Sequence, residues 1–531
     1  MVWRGWQMCR RVFSRALLVG LLVVQAAVSV AAPAAPTPRR LTVLYTNDLH
    51  AQLDPIEATW LEGKPRLGGL EALSGAIARL RSGRDDTLLV DAGDLLSGPA
   101  VSTLTHGEAP FDLLDAMGYD AMAIGNHEFD VSVPRLEELI WSTSLPVLAA
   151  NAYWRDGGRR FARPYVIVRR GGLRVAVIGV IGADAAQVTL PAQVRDLEFR
   201  DPTRELAPLV AALRPAVDLV VVLAHEGRTG PMQLDAENRP EAQRDFDTDI
   251  ALAAAVPGID VLVGGHAHRG IDPPFRETTH GTIIVQTWGQ STTLGVLDLT
   301  LAAEGPGISS YQGRLERVYS DKETPMPEVS RRASHWRGVV AAQASLPVCE
   351  AVAAITRDYA GPSPLGNLLT DLMREHGRAD IALYNSGGLR ADLPAGPLTR
   401  VDMTSVLPFN NRLVVLRLKG TAVRAALEQG LSGEHGALQQ SGLVVRFDPR
   451  AAVGRRLVAA TVNGAPLDDG ASYLVATIDF LAQGGDGYAS LTRGEVVTTA
   501  EETIAVQATE WLRQRGRVAP VMDERTLPVA P

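Results

Sequence analysis

Short, β-branched apolar runs recur through the N-terminal half of the chain, and each ends in side chains that can hold a metal. Leu41-Thr42-Val43-Leu44-Tyr45 leads to Asp48-Leu49-His50, and Leu88-Leu89-Val90 leads to Gly93-Asp94. Ala121-Met122-Ala123-Ile124 precedes Gly125-Asn126-His127-Glu128, and Leu219-Val220-Val221-Val222-Leu223 precedes His225. Val261-Leu262-Val263-Gly264-Gly265 precedes His266-Ala267-His268. Runs of this length and composition read as buried strands. Further strands are expected over 147–150, 175–180 and 282–287, with a helix over 70–80. The alternation predicts an α/β domain over 40–319. A stretch rich in charge and proline, 320–328, reads as a linker that continues through a helix near 334–344, so 320–345 separates two domains. The second domain, 346–531, is expected to hold a helix over 365–376 and strands over 381–384, 413–418 and 473–478. Val462-Asn463-Gly464 predicts a hairpin turn.

Ligands placed at strand ends are aimed by a rigid sheet at one point. A lone Asp after a strand is ordinarily a turn residue or helix cap. Five such motifs in order, mixing Asp, Asn and His, predict a site of convergent nitrogen and oxygen donors, which is what a two-metal centre requires. With no cysteine among the donors, a purely structural zinc is a poor fit, and Mn, Zn, Co or Fe suits the set.

Composition narrows the class. The chain has 531 residues, 46% hydrophobic and 21% charged, with net charge −8. That is ordinary for globular domains and offers no basic stripe for a nucleic-acid duplex. Lysine occurs at Lys64, Lys322 and Lys419 only, so arginine clusters carry less functional weight here than usual. Residues 1–32 read as a secretory signal: Arg4, Arg10, Arg11 and Arg15, then an apolar stretch over 16–30, then small residues over 31–35. Arg10-Arg11-Val12-Phe13 resembles a twin-arginine signal; the alternative is an ordinary arginine-rich leader. The expected location is therefore periplasmic or extracellular in a bacterium, without a stable membrane anchor. Removal of the leader takes Cys9 and leaves Cys349, so no internal disulfide is expected. Oligomeric state is not legible.

In the C-terminal half, Asn385-Ser386-Gly387-Gly388-Leu389-Arg390 follows a strand. The glycines let backbone approach an anion and Arg390 can pair with phosphate; a turn with a solvated arginine reads equally well. Phe409 and Phe480 lie beside turn-forming residues, and are either core aromatics or a stacking pair.

The D-x-H, G-D, G-N-H-E, later histidine and G-H-x-H series resembles the calcineurin-like metallophosphoesterases. Thr46-Asn47-Asp48-Leu49-His50-Ala51-Gln52-Leu53, Gly125-Asn126-His127-Glu128-Phe129-Asp130 and the segment ending at Arg390 resemble the two-domain 5'-nucleotidase family. The resemblance covers nearly the whole chain after the leader. It implies a four-layer αββα metallophosphoesterase sandwich followed by a mixed α/β domain that sets nucleotide specificity. It implies one metal held by Asp48, His50, Asp94 and His268, and another by Asp94, Asn126, His225 and His266, with Asp94 bridging. Two such cations, roughly 3.5–4 Å apart, lower the pKa of a shared water and give a hydroxide nucleophile. His127 would contact the phosphoryl group with Asp130 holding its imidazole charged, while Glu128 would stabilise the loop. A helix-cap role is the alternative for Asp130. Arg390 would bind phosphate, Phe409 and Phe480 would sandwich the base, and Asn385 and Asp486 would contact base and ribose. The implied function is a secreted phosphohydrolase acting on a small nucleotide, releasing phosphate from nucleoside 5'-monophosphates.

Two departures stand out. His268 occupies a position where periplasmic nucleotidases often carry glutamine and 2',3'-cyclic phosphodiesterases carry histidine, which leaves the substrate open; a 2',3'-cyclic nucleotide phosphodiesterase or a nucleotide-sugar diphosphatase would suit the same base site and metal pair. The arginine and glutamate that usually precede the G-N-L segment are missing before Gly366-Asn367-Leu368; Arg357 is the candidate to replace the arginine. The sulfate thiohydrolase of sulfur oxidation shares the architecture but usually shows G-H-W-E where this chain has Gly125-Asn126-His127-Glu128.

Overall fold

The computed structural model describes residues 39–529 apart from 59, 190, 228–245, 303–306, 345–346, 410 and 524. The leader and its twin-arginine pair lie outside the described residues.

Two six-stranded sheets form the centre of the N-terminal part. In the first, Arg40–Thr46 lies between Thr293–Leu301 and Thr87–Asp91, with Ala121–Ala123 and Val147–Leu148 beyond. In the second, Leu219–His225 lies between Leu173–Ile181 and Val261–Gly264, followed by Ile283–Val285. The ligand-bearing strands pair in parallel within each sheet: Arg40–Thr46 with Thr87–Asp91, and Leu219–His225 with Val261–Gly264. Their C-terminal ends, and therefore the loops that follow, fall on one edge.

Why these runs are apolar throughout follows from the layering. Leu41, Val43 and Tyr45 pack against Val175, Val177, Leu219 and Val221 of the other sheet. Leu44, Leu89 and Met122, on the opposite face, pack with residues of the helices Leu70–Arg81 and Glu108–Met117. On the far side, Ile178, Val180, Val220 and Val222 pack with Leu206, Val210 and Leu252 of the helices Pro202–Leu213 and Asp247–Ala255. A strand buried on both faces loses the alternation of a half-exposed one. The result is the four-layer αββα arrangement.

The helix expected near 334–344 begins earlier, at Pro327, and runs to Ala344. It is no loose spacer. Val329 and Ala333 are fully buried, and the Trp336 indole donates to Asp112 at 2.8 Å, tying the helix to the N-terminal part. The proline that suggested a linker instead occupies the helix's first position, where its missing N–H costs nothing.

The C-terminal part carries a five-stranded sheet in the order Leu438–Ser441, Ile381–Asn385, Ser472–Ile478, Arg412–Lys419, Glu495–Thr503. Pro364–His376 packs on it, capped by Ser363, whose hydroxyl accepts from the Gly366 amide at 3.0 Å. The hairpin at Asn463-Gly464 joins Leu457–Val462 to Ala465–Pro466, with φ of 50° and 84° at the two turn residues. The two parts meet where Thr103 donates to the Pro408 carbonyl at 3.1 Å. Among the described residues no helix is long and apolar enough to cross a membrane.

A candidate dinuclear metal centre and its substrate cavity

All seven expected metal ligands converge at the shared edge of the two sheets, and all are buried. Three overlapping groups bring potential donor atoms within 4.8 Å of one another: Asp48 with His50 and His268, His50 with Asp94 and His127, and Asp94 with His225 and His266. Asp94 and His50 each belong to two groups, and Asp94 thus stands where a bridging ligand must. Asn126, with its Oδ1 buried, completes the set.

The backbone works against its own preferences to achieve this. Asp48, His50, Asp94, His266 and His268 all have left-handed φ, between 46° and 67°. Such conformations cost a non-glycine residue roughly 1–3 kcal/mol each and persist where the surroundings over-determine them. Gly125 is required by proximity: a Cβ there would lie 2.2 Å from the Asp94 carboxylate. Glu128 fixes both loops at once, its carboxylate accepting from the amides of Gly125, Asp94, Leu95 and Leu96 at 2.6–3.1 Å.

The donor set fits cations. His50 gives its Nδ1–H to the Leu96 carbonyl at 3.0 Å, and His225 gives its Nδ1–H to the Ala92 carbonyl at 2.8 Å. Each ring therefore presents a lone pair on Nε2. That of His225 faces Asp94 Oδ2 at 3.2 Å, and that of His50 faces His268 Nε2 at 3.1 Å. Asp94 Oδ2, Asn126 Oδ1, His225 Nε2 and His266 Nδ1 are all buried without a hydrogen-bond partner. Acceptors facing acceptors out of water are costly unless a cation lies among them. Without metal a proton plays that part. Burial alone would lower the His225 pKa, but Asp94 and Asp48 push it up to about 10. His266, buried and next to a charged His225, falls to about 3. A backbone carbonyl that fixes the imidazole tautomer is what a metal-ligating histidine requires.

His127 and Asp130 lie beside this centre. The pair sits in the 3-10 turn His127–Asp130, and His127 Nδ1 is 2.6 Å from Asp130 Oδ2. Burial lowers the imidazole's pKa, Asp130 and Asp94 raise it, and the balance is upward. The cap of the next helix, Val133–Ser142, is Ser132, not Asp130.

A cavity of about 830 Å³, counting its open mouth, begins at Asn126, His127 and His266 and runs into the C-terminal part. Asn385, Arg390, Phe409, Phe480 and Asp486 all line it. Phe409 stacks on His127 with ring centroids 5.8 Å apart and lies 5.9 Å from the Arg390 guanidinium carbon. Phe480 lies outside any strand, in the one-turn helix Asp479–Ala482 that leads into the left-handed Gly484. Asn385 donates to Asp486 at 2.7 Å, which leaves its buried Oδ1 as an acceptor with no partner. Among the described residues no carboxylate pairs with Arg390, and burial lowers its pKa to about 10. Arg357 reaches the Leu389 carbonyl at 3.3 Å and stays off the cavity wall, which Tyr359 forms instead. Tyr359, His435, Asn411 and Gln193 were not legible as lining residues, since no spacing links them to the motifs.

Strand-end loops of a double sheet that gather His and Asp donors around Asp94, with the His127 imidazole beside them, are the arrangement of a metallophosphoesterase. Residues 41–270 match the calcineurin-like phosphoesterase family and residues 340–493 match the C-terminal domain of 5'-nucleotidases. Protein UshA of Yersinia enterocolitica is 29% identical over 493 residues, covering 84% of this chain and 86% of its own. The 5'-nucleotidase of Vibrio cholerae is 26% identical over 510 residues, covering 85% and 86%. The crystal structure of a 5'-nucleotidase precursor from Thermus thermophilus superposes with a TM-score of 0.79 at 30% identity, covering 93% of this chain and all of that one. The sulfate thiohydrolase SoxB of the same organism, at 21% identity and TM-score 0.74, shares the fold. The chain belongs to the 5'-nucleotidase family.

Proposed function

We propose that the protein releases phosphate from nucleoside 5'-monophosphates outside the cytoplasm. The observation that carries this reading is one continuous cavity lined by Asn126, His127 and His266 at one end and by Arg390, Phe409 and Phe480 at the other. The chemistry supplied by two divalent cations in such a ligand set is activation of water and neutralisation of phosphoryl charge. The chain's own residues then divide the work. Arg390, which has no carboxylate partner among the described residues, pairs with the phosphate. Phe409 and Phe480 stack on the base, and Asp486 and Asn385 offer acceptors to ribose hydroxyls and base N–H groups. His127, held by Asp130, places positive charge at the phosphoryl oxygens as charge develops there.

The test is phosphate release from AMP, 2',3'-cyclic AMP, UDP-glucose and p-nitrophenyl phosphate, with Mn, Co, Zn and Mg each added back. The expected outcome is the highest kcat/KM on AMP. A cyclic nucleotide or UDP-glucose cleaved faster than AMP would reassign the substrate and keep the centre. For export, the mature protein recovered from a bacterial periplasm should begin within residues 31–35; a cytoplasmic product with its leader intact would contradict it.

A further inference from the structure

The turn after the strand Thr87–Asp91 does more than deliver Asp94. Its Leu96 carbonyl orients His50, and its next residue, Ser97, meets the Asp130 carboxylate. Ser97 is buried, with φ of 61°, a left-handed conformation unusual for a residue with a Cβ. Its amide donates to the Ser102 hydroxyl at 3.2 Å, which fixes the turn. Its own hydroxyl donates to Asp130 Oδ2, the same oxygen that receives His127 Nδ1–H. Asp130 borders both the substrate cavity and a second cavity, of about 1050 Å³ counting its open mouth, on the side of Ser102, His106 and Arg135. Ser97 and His127 are the two side chains bonded to the Asp130 carboxylate among the described residues. Without the serine, that carboxylate keeps His127 as its one side-chain partner among the described residues.

We propose that Ser97 is a positioning residue for the reaction: it holds Asp130 so that His127 stays aimed at the phosphoryl group. The proposal rests on His127 acting there. The left-handed backbone at Ser97 is what turns its hydroxyl toward Asp130 and away from the metal ligands that the same turn supplies. One short turn thereby sets the bridging carboxylate, one metal-binding ring and the ring that meets the substrate.

The test is a double-mutant cycle on the metal-loaded enzyme, read on AMP and on p-nitrophenyl phosphate. Ser97→Ala should lower kcat by roughly tenfold to a hundredfold, the size of one hydrogen bond to a charged group, with KM and bound metal unchanged. Ser97→Gly should do the same, although it relieves the backbone strain. Ser97→Asn tolerates left-handed φ and retains a donor, so it should recover part of the rate. In an Asp130→Ala background, Ser97→Ala should cost almost nothing further. In the zinc-loaded protein, the His127 ring-proton resonance, assigned through His127→Asn, should shift or broaden in Ser97→Ala. An equal loss in both backgrounds, lost metal, or an unmoved resonance would overturn the proposal. If AMP is not a substrate but the nitrophenyl ester is, the cycle still reads Ser97 while the nucleotide assignment falls; the resonance reads it without any turnover.

Discussion

Replacing His127 with asparagine separates two roles that its position makes equally available. One of its ring nitrogens lies within 4.8 Å of donor atoms of His50 and Asp94, as a ligand would, yet Nδ1 is committed to Asp130 at 2.6 Å. If the ring is the electrostatic partner of the phosphoryl group, the loss can be sized. A unit charge about 4 Å from another interacts by about 4 kcal/mol at an effective dielectric constant near 20. The side chain is 11% exposed, so screening is modest. Only the part of that energy gained between bound substrate and transition state appears in kcat. Taking about two-thirds gives a loss of roughly 10² in rate. The assay is kcat at saturating AMP, with metal content measured by mass spectrometry on the same sample. Loss of bound metal would make His127 a ligand. A fall of less than about fivefold, with metal retained, would refute the electrostatic role.

Phe409→Ala or Phe480→Ala should lower kcat/KM for AMP by about 5- to 150-fold, the value of one base–aromatic stack, and leave p-nitrophenyl phosphate nearly unaffected; equal losses on both would reduce the rings to scaffold. Arg390→Ala should weaken both substrates, and an effect confined to AMP would move that arginine away from the phosphate. Glu128→Gln turns an amide donor toward the four backbone amides that the carboxyl oxygens now accept from, so urea unfolding should lose about 1–3 kcal/mol; an unchanged midpoint would show that the loops hold without it.

The convergence of Asp48, Asp94, Asn126, His225 and His266 was legible because each follows an apolar strand closely, and parallel pairing within each sheet brings those strand ends to one edge. The four-layer sandwich itself was what the family resemblance implied, while the alternation of apolar runs made an α/β domain legible. The ends of elements were less so: the helix Pro327–Ala344 hides its start behind a proline and a charged first turn. Residues whose role depends on a partner far away in sequence left no local trace. Ser97 meets Asp130 across 33 positions, and Tyr359 reaches the cavity wall through a segment that departs from the family's pattern. Glu128 was expected to stabilise its own loop, and the structure shows that it also binds the amides of the loop carrying Asp94.

Everything proposed for the reaction depends on Asp94 and the six ligands around it holding two cations. The decisive experiment titrates metal back into chelated protein while counting bound ions and measuring AMP hydrolysis. Activity should be lost on chelation and return with Mn or Co as binding approaches two ions per chain. Asp94→Asn, which removes the shared charge, should lose more activity than a substitution of any other single ligand. Full turnover by the chelated protein, or saturation of activity at one ion per chain, would contradict a dinuclear centre.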